Sequence, residues 1–237
     1  MQYRVSRAVA GPILRLLWRP TITGAESVPE RGGAILASNH LSIVDSFFLP
    51  LMLDRPVTFA AKAEYFTGTR LVDRATAFYL RRTRQLSVDR GGTRAARGML
   101  EAALDLLRRG ELFGIYPEGT RSPDGKLYRG RTGIGWLALA SGLPVIPVAM
   151  IGTRHVLPPG RVIPRIGAIE VRVGKPMTFE HHADAVAPAK ARRAVTDEVM
   201  RAIGELSGQE YAPTYASTRK EHLAAAKHSD RRSRKSG

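Results

Sequence analysis

The sequence predicts an α/β fold: a mainly parallel or mixed sheet flanked by helices, with an N-terminal amphipathic helix. Short apolar runs alternate with stretches of helical periodicity along most of the chain, which is typical of a sheet covered by helices. Several runs are too apolar to face water, as expected of parallel strands that are buried on both faces. The 237 residues are enough for one domain with a substantial core.

The apolar runs that carry β-branched or aromatic residues are predicted as strands. They are residues 34–37, 57–61, 86–88, 112–116, 145–150 and 169–173. Helices are predicted where apolar residues recur every three or four positions. These segments are 43–53, 70–80, 93–109, 132–141 and 189–206. The alternation of the two patterns predicts one folded domain over residues 21–206.

The two ends of the chain differ from this domain. Residues 1–20 place arginines around an apolar run that ends at Trp18, a composition suited to a helix lying among lipid headgroups. Arg15 and Arg19 interrupt that run, so it falls short of the ~20 apolar residues that span a bilayer. A helix packed on its own domain fits the pattern equally well. Residues 207–237 are polar and basic without apolar periodicity, and they are predicted to be a disordered tail.

The composition narrows the class of partner. Lys and Arg number 37 against 21 Asp and Glu, a formal net charge of +16, which favours polyanions. Nucleic acid is disfavoured, because the aromatic fraction is only 7% and no zinc-finger or RNA-binding signature is present. An anionic membrane surface fits better. The chain has no cysteine, and His155, His181 and His182 lack metal-ligand spacing, so neither a thiolate nucleophile nor a metal site is predicted.

His40 is the first candidate for chemistry. It lies between a predicted strand and a predicted helix, so it should occupy the carboxyl end of the strand, where open α/β sheets bind ligands. An imidazole can accept a hydroxyl proton when a carboxylate fixes its tautomer, and Asp45 is the obvious partner. The spacing of Ser42 and Asp45 also fits a helix-capping box, in which Asp45 would only cap the helix. Spacing alone leaves both interpretations open.

The Pro-Glu-Gly-Thr-Arg-Ser segment at 117–122 is the second candidate, because it leaves another predicted strand at the same sheet edge. Gly119 permits close backbone approach, and Arg121 offers a planar fork for a phosphate. Thr120 and Ser122 add hydroxyl groups. These features predict an anion-binding loop.

Glu118 stands inside that loop, although a carboxylate repels a phosphate. It is therefore expected to accept a hydrogen bond from a substrate hydroxyl or to orient Arg121. The alternative is an exposed turn with a Glu–Arg pair of little energetic value.

Together the two blocks resemble a known enzyme family. The Asn-His-x-x-x-x-Asp block at 39–45 and the block at 117–122 are similar to the first and third motifs of the glycerolipid acyltransferases, which make phosphatidic acid from lysophosphatidic acid. Residues 88–90 and 143–148 are weaker matches to the second and fourth motifs. The resemblance covers about residues 21–176.

The resemblance implies a role for each matching residue. His40 is expected to be the general base and Asp45 the residue that orients it. Pro147 is expected to shape the acyl site. The residues expected to bind the glycerol phosphate of the acceptor are Arg90, Glu118, Gly119, Thr120 and Arg121.

The implied reaction moves a fatty acyl group from acyl-CoA or acyl carrier protein to the free hydroxyl of a lysophosphatidic-acid-like acceptor. No cofactor or metal is expected beside that co-substrate. The resemblance also implies a peripheral or monotopic protein on the cytoplasmic face of a membrane. Two alternatives stay open: an acyltransferase for another lysophospholipid or a glycolipid, and a non-catalytic membrane-binding protein with the same fold.

One further pattern is set aside. Residues 133–138 fit the dinucleotide fingerprint G-x-G-x-x-A, but they do not follow a predicted strand, and no acidic residue stands about 20 positions later. Close packing of helices is the preferred explanation for these glycines.

Overall fold

The computed structural model describes residues 12, 14–62, 85–88, 92–180 and 188–233. The strands in this part of the chain are β1 Thr21–Thr23, β2 Ala34–Ser38, β3 Val57–Lys62, β4 Leu86–Val88, β5 Leu112–Ile115, β6 Leu127–Tyr128, β7 Val145–Ile151, β8 Glu170–Val173 and β9 Tyr211–Ala212. The helices that follow β2 are α1 Asp45–Met52, α2 Gly92–Arg108, α3 Gly133–Ser141, α4 Thr153–Val156, α5 Pro188–Ser207 and α6 Ala216–Ser233.

Seven of these strands form one sheet in the order β1-β8-β7-β2-β5-β3-β4, and β6 pairs with β9 in a separate ribbon. Neighbouring strands in the large sheet are parallel except for β7 and β8. Parallel neighbours need long crossover connections, which helices provide here. The predicted mainly parallel or mixed sheet flanked by helices is confirmed.

The centre of the sheet is buried on both faces, as its apolar sequence requires. Each of the five residues of β2 has no exposed surface. Successive β2 side chains alternate between two cores, with Leu36 in the first and Ile35 in the second. Helix α1 packs in the first core, and α2, α3 and α5 pack in the second. The loops at the strand ends are thus held by a sheet that is packed from both sides.

The glycines of α3 serve helix packing. A Cβ added at Gly135 would lie 2.1 Å from the carbonyl oxygen of Arg192 in α5. This contact leaves no room for a side chain, so the two helices approach through Gly135. The structure supports the packing explanation of the G-x-G-x-x-A pattern.

The C-terminal segment corrects one expectation. Residues 211–233 were expected to be disordered, but β9 pairs with β6 and α6 follows. Tyr215 lies beneath the guanidinium groups of Arg129 and Arg131, at 5.8 and 5.4 Å from the ring centroid. Ala216 is completely buried. The segment is ordered by contacts with distant residues, which its own polar composition does not reveal.

At the other end, residues 14–18 are helical, and Leu14 and Trp18 pack against the first core. Most of the predicted N-terminal helix, and the whole of the predicted helix 70–80, lie outside the described residues. The division of the chain at residues 20 and 206 stays a prediction. No helix in the described part of the chain is both long and apolar enough to span a membrane.

Candidate active site

The two sequence motifs meet at one edge of the sheet. Strands β2 and β5 are parallel neighbours, so the loops that follow them emerge side by side. The amide of His40 donates a hydrogen bond to Glu118 Oε1 at 3.0 Å, and the amide of Ser122 donates one to the carbonyl of His40 at 2.7 Å. One side-chain and one backbone acceptor thus join the loop after β2 to the loop after β5.

His40 and Asp45 form the proton-transfer pair that the first motif predicts. His40 Nδ1 lies 2.9 Å from Asp45 Oδ2. The carboxylate is fully buried, whereas the imidazole side chain keeps 14% of its surface exposed. The buried Asp45 carboxylate orients the imidazole, and the exposed part of the imidazole can still reach a substrate hydroxyl. Proton transfer needs this arrangement.

Asp45 also fixes the backbone of the loop. Its Oδ2 accepts hydrogen bonds from the amides of Leu41 and Ser42, both at 2.8 Å. The bond from the Ser42 amide is one half of the predicted capping box. The other half is missing, because Ser42 Oγ donates to the carbonyl of Leu157 at 2.7 Å instead. The capping box is therefore not formed, and α1 begins after Val44 without a side-chain cap, whereas Asp45 holds His40 and the loop before the helix.

The imidazole is also held by aromatic stacking. The ring of Tyr116 lies parallel to His40, with centroids 3.9 Å apart and 10° between the planes. Tyr116 in turn stacks on Phe59 at 5.1 Å, and its hydroxyl hydrogen-bonds Ser46 at 2.8 Å. A phenylalanine could make the stack but not the bond to Ser46. The sequence analysis gave Tyr116 no part in holding the base.

Glu118 differs from its expected role. Only 1% of the residue is exposed, and its oxygens accept hydrogen bonds from the amides of His40 and Tyr128, each at 3.0 Å. Burial raises the pKa of Glu118 to about 7, although these two hydrogen bonds favour the charged form. Glu118 therefore positions the two loops, and a contact of its carboxylate with the acceptor stays a prediction.

The rest of the loop offers an anion site. Gly119 is exposed and has a left-handed backbone, with φ of 72°. The Arg121 guanidinium makes no ion pair or hydrogen bond with any described residue, so it is available for a ligand. Thr120 Oγ1 accepts a hydrogen bond from Lys220 Nζ at 2.5 Å. Ser122 does not face the site, because its buried hydroxyl accepts a bond from the Gly125 amide at 2.9 Å.

Lys220 is the residue of this loop region that sequence analysis missed. It belongs to α6, in a segment that was expected to be disordered. Its ammonium group brings a second cation to this loop through the bond to Thr120, the residue before Arg121. The only signal in the sequence was the surplus of basic residues in the tail, which does not identify one lysine.

The side chain of Asn39 holds the end of β2 to the backbone of β7. Its side chain accepts a bond from the Met150 amide at 2.7 Å and donates to the Met150 carbonyl at 3.0 Å. The same amide group donates to Gln209 Oε1 at 2.6 Å. Asn39 thus extends the pairing of β2 with β7 by one residue, just before His40. This explains the asparagine of the first block as a structural residue.

Two predicted residues do not join this cluster. Pro147 is buried in the middle of β7, where it pairs with Ala37 rather than standing at the sheet edge. Arg90 lies outside the described residues. Among the residues that are described, no group of three or more His, Asp or Glu side chains could hold a metal ion.

Comparison with known proteins agrees with this geometry. The family model described as Acyltransferase matches residues 19–151, more than half of the chain. A 1-acyl-sn-glycerol-3-phosphate acyltransferase of Bacillus subtilis is 28% identical over 201 residues, which are 83% of this chain and 92% of that protein. One from Chlamydomonas reinhardtii is 29% identical over 184 residues, 77% of this chain and 53% of the relative.

A solved structure gives the same result. The 1-acyl-sn-glycerophosphate (LPA) acyltransferase PlsC from Thermotoga maritima matches with a TM-score of 0.64 at 27% identity, covering 86% of this chain and 79% of that one. The chain spans about half the length of the algal and plant relatives that it matches. With both motifs inside the matched region and the fold shared, the chain belongs to the acyltransferase family.

Proposed function

We propose that this protein transfers a fatty acyl group from an acyl thioester to the free hydroxyl of a lysophosphatidic-acid-like acceptor, which gives phosphatidic acid. The observation that carries the proposal is the 2.9 Å contact between His40 Nδ1 and the buried Asp45, at the same edge as Arg121. The relatives named above as 1-acyl-sn-glycerol-3-phosphate acyltransferases support the choice of acceptor.

The proposed reaction is a direct transfer. With Nδ1 turned to Asp45, His40 Nε2 takes the proton of the acceptor hydroxyl, and the oxygen attacks the thioester carbonyl. The carbon–sulfur bond then breaks, and the imidazolium returns its proton to the leaving thiolate. Asp45 stabilises the imidazolium while it exists. Because the chain contains no cysteine, no cysteinyl acyl-enzyme can form.

The phosphate of the acceptor is assigned to Arg121 and Lys220. A guanidinium binds phosphate through two parallel hydrogen bonds, and an ammonium adds a point charge. Holding the acceptor by its phosphate orients the hydroxyl toward His40, which converts binding into rate. Arg90 is added from the family resemblance alone.

The donor and the location complete the proposal. We expect acyl-CoA or acyl carrier protein as donor, with Pro147 near the acyl chain, and a peripheral position on the cytoplasmic face of a membrane. A basic chain with a net charge of +16 is drawn to anionic lipid surfaces.

The test is an assay of the purified protein with lysophosphatidic acid and a panel of acyl-CoA and acyl carrier protein thioesters. The expected product is phosphatidic acid, detected by mass spectrometry, and its formation should be lost in His40→Ala. The matched control is His155→Ala, since His155 is an exposed histidine of α4 that belongs to neither motif. No product with any thioester, or full turnover in His40→Ala, would contradict the proposal.

A further inference from the structure

Large exposed apolar side chains are concentrated in one place. Six such residues occur in the described chain, and five of them belong to two short segments. These five are Leu16 (77% exposed), Leu17 (36%), Val162 (79%), Ile163 (79%) and Ile166 (74%); we call them the apolar edge. The sixth, Tyr211, belongs to β9. Scattered single apolar residues need no explanation, but a cluster of this kind marks an interaction surface.

The two segments are joined to each other. Trp18 Nε1 donates a hydrogen bond to the carbonyl of Arg165 at 2.6 Å, so the neighbours of Trp18 and Arg165 in sequence are brought together. The Trp18 ring also packs edge-on against Phe48 of α1, with centroids 6.0 Å apart. The loop end is fixed by a bond from the Arg165 amide to the Val156 carbonyl at 2.7 Å. The apolar edge is therefore a single surface built on the first core.

The charged residues that flank the apolar edge in sequence have one sign. Arg15, Arg19, Arg161 and Arg165 are all exposed and lie within two positions of its apolar residues. The chain has no Asp or Glu before Glu26, and none between residues 151 and 169. Aliphatic side chains flanked by arginines, with a tryptophan beside them, suit the boundary between acyl chains and phosphate headgroups. A protein surface with charges of both signs is less well matched to this combination of aliphatic side chains and arginines.

The apolar edge adjoins the candidate active site. The loop that carries Val162, Ile163 and Ile166 follows β7 and the short helix α4. The carboxyl end of β7 lies at the same sheet edge as that of β2. Ser42 Oγ donates to the carbonyl of Leu157 at 2.7 Å, which ties the start of this loop to the loop of His40 and Asp45. A bilayer bound at this surface is therefore adjacent to the proposed base.

We propose that the apolar edge inserts into the headgroup region of an anionic bilayer and that the loop 157–168 is a second membrane contact beside the N-terminal segment. The proposal rests on the proposed function for its lipid partner, and it names the surface by which the protein reaches a lipid acceptor. Aliphatic insertion supplies attachment, and the four arginines supply preference for negative headgroups.

The test is binding to vesicles in the absence of substrate. The variant Val162→Ser, Ile163→Ser, Ile166→Ser changes only side chains that are at least 74% exposed, so it should fold normally. Its partition onto vesicles of phosphatidylglycerol and phosphatidylcholine should fall at least tenfold in a sedimentation assay. Tyr211→Ser is the control, because it removes an exposed aromatic group outside the apolar edge and should bind as the unmodified protein does.

A second measurement reports on insertion directly. The chain has two tryptophans, so Trp136→Phe leaves Trp18 as the only one. Its emission should shift to shorter wavelength when anionic vesicles are added, and much less with phosphatidylcholine alone.

Undiminished vesicle binding by the triple serine variant would overturn the proposal. So would a dimer in sedimentation velocity that this variant converts to a monomer, because the surface would then bind a second copy of the chain. Acyl transfer to a water-soluble short-chain acceptor separates the two proposals. A triple serine variant that still transfers acyl groups to this acceptor but no longer binds vesicles supports the membrane contact. If the unmodified protein binds vesicles but transfers nothing, only the proposed function is contradicted.

Discussion

Asp45→Asn tests the centre of the site, because it removes a charge and keeps the shape. In the protein, Oδ2 accepts three hydrogen bonds, from His40 Nδ1, the Leu41 amide and the Ser42 amide. An asparagine oxygen in that place can accept all three. The new amide nitrogen then takes the position of Oδ1, which is buried and has no partner among the described residues. One buried group without a partner thus replaces another, so the exchange at this position adds little to the change in stability.

The expected losses follow from those contacts. The bonds from the Leu41 and Ser42 amides lose their charged acceptor, which costs ~1 kcal/mol of stability each. Replacing a charge-assisted hydrogen bond to the imidazolium by a neutral one costs the transition state ~1–2 kcal/mol, which is about 5- to 30-fold in kcat. Removing the base itself in His40→Ala should cost on the order of 10²- to 10⁴-fold.

The decisive measurement is the double-mutant cycle. If Asp45 acts only through His40, the variant with both changes should be no slower than His40→Ala. Turnover can be followed by the thiol released from acyl-CoA, since a chain without cysteine contributes no thiol of its own. Urea unfolding gives the stability loss separately. Refutation would be an Asp45→Asn enzyme that unfolds more easily but keeps its full kcat, because Asp45 would then serve only the structure of the loop.

Three further predictions follow from the loop after β5. The raised pKa of Glu118 means that the folded protein binds the proton more tightly than the unfolded chain, so stability should fall as pH rises from 4.5 to about 7. The fall in the free energy of unfolding amounts to about 3 kcal/mol. Denaturant titrations of Glu118→Gln across this pH range should show no such fall, and an unchanged dependence on pH would contradict the assignment. Gly119→Ala forces a side chain onto a φ of 72° and should cost ~1–2 kcal/mol in thermal or urea unfolding; an unaltered unfolding midpoint would show that the loop relaxes freely. Lys220→Met should raise KM for the phosphate-bearing acceptor about tenfold and leave KM for the thioester unchanged. The control is Arg219→Met, which loses an exposed pair with Asp124 and should change neither KM. Equal effects of the two variants would remove Lys220 from the site.

The strands and the proton-transfer pair could be predicted because their signals are local. β2, β5 and β7 differ from the predicted ranges by one residue at most, since each is an apolar run between polar turns. His40 and Asp45 stand five positions apart, so one turn and one helix start decide their distance. For such features the relevant contacts lie within a short window of sequence.

The remaining features depend on contacts between distant residues. Lys220 reaches Thr120 across 100 positions, and the polar helix α6 is held by Tyr215 and its arginines rather than by its own composition. The inward direction of Glu118 depends on two amides, one of them 78 positions away. A carboxylate in a polar loop predicts exposure, and only the paired amides make burial possible. No pattern within either segment carries this information.

The sheet, rather than the loops, sets the relative position of base and anion site. β2 and β5 pair with Ala37 opposite Ile115, and three residues beyond Ala37 the backbone of His40 donates to Glu118 and accepts from Ser122. One of these bonds joins backbone to backbone, and the other joins the backbone of His40 to the buried Glu118 carboxylate, so neither depends on the side chains of Thr120 or Arg121. A change at Thr120 or Arg121 can therefore alter the acceptor while the base stays aligned. The same scaffold can keep one proton-transfer chemistry and accept different phosphate-bearing alcohols.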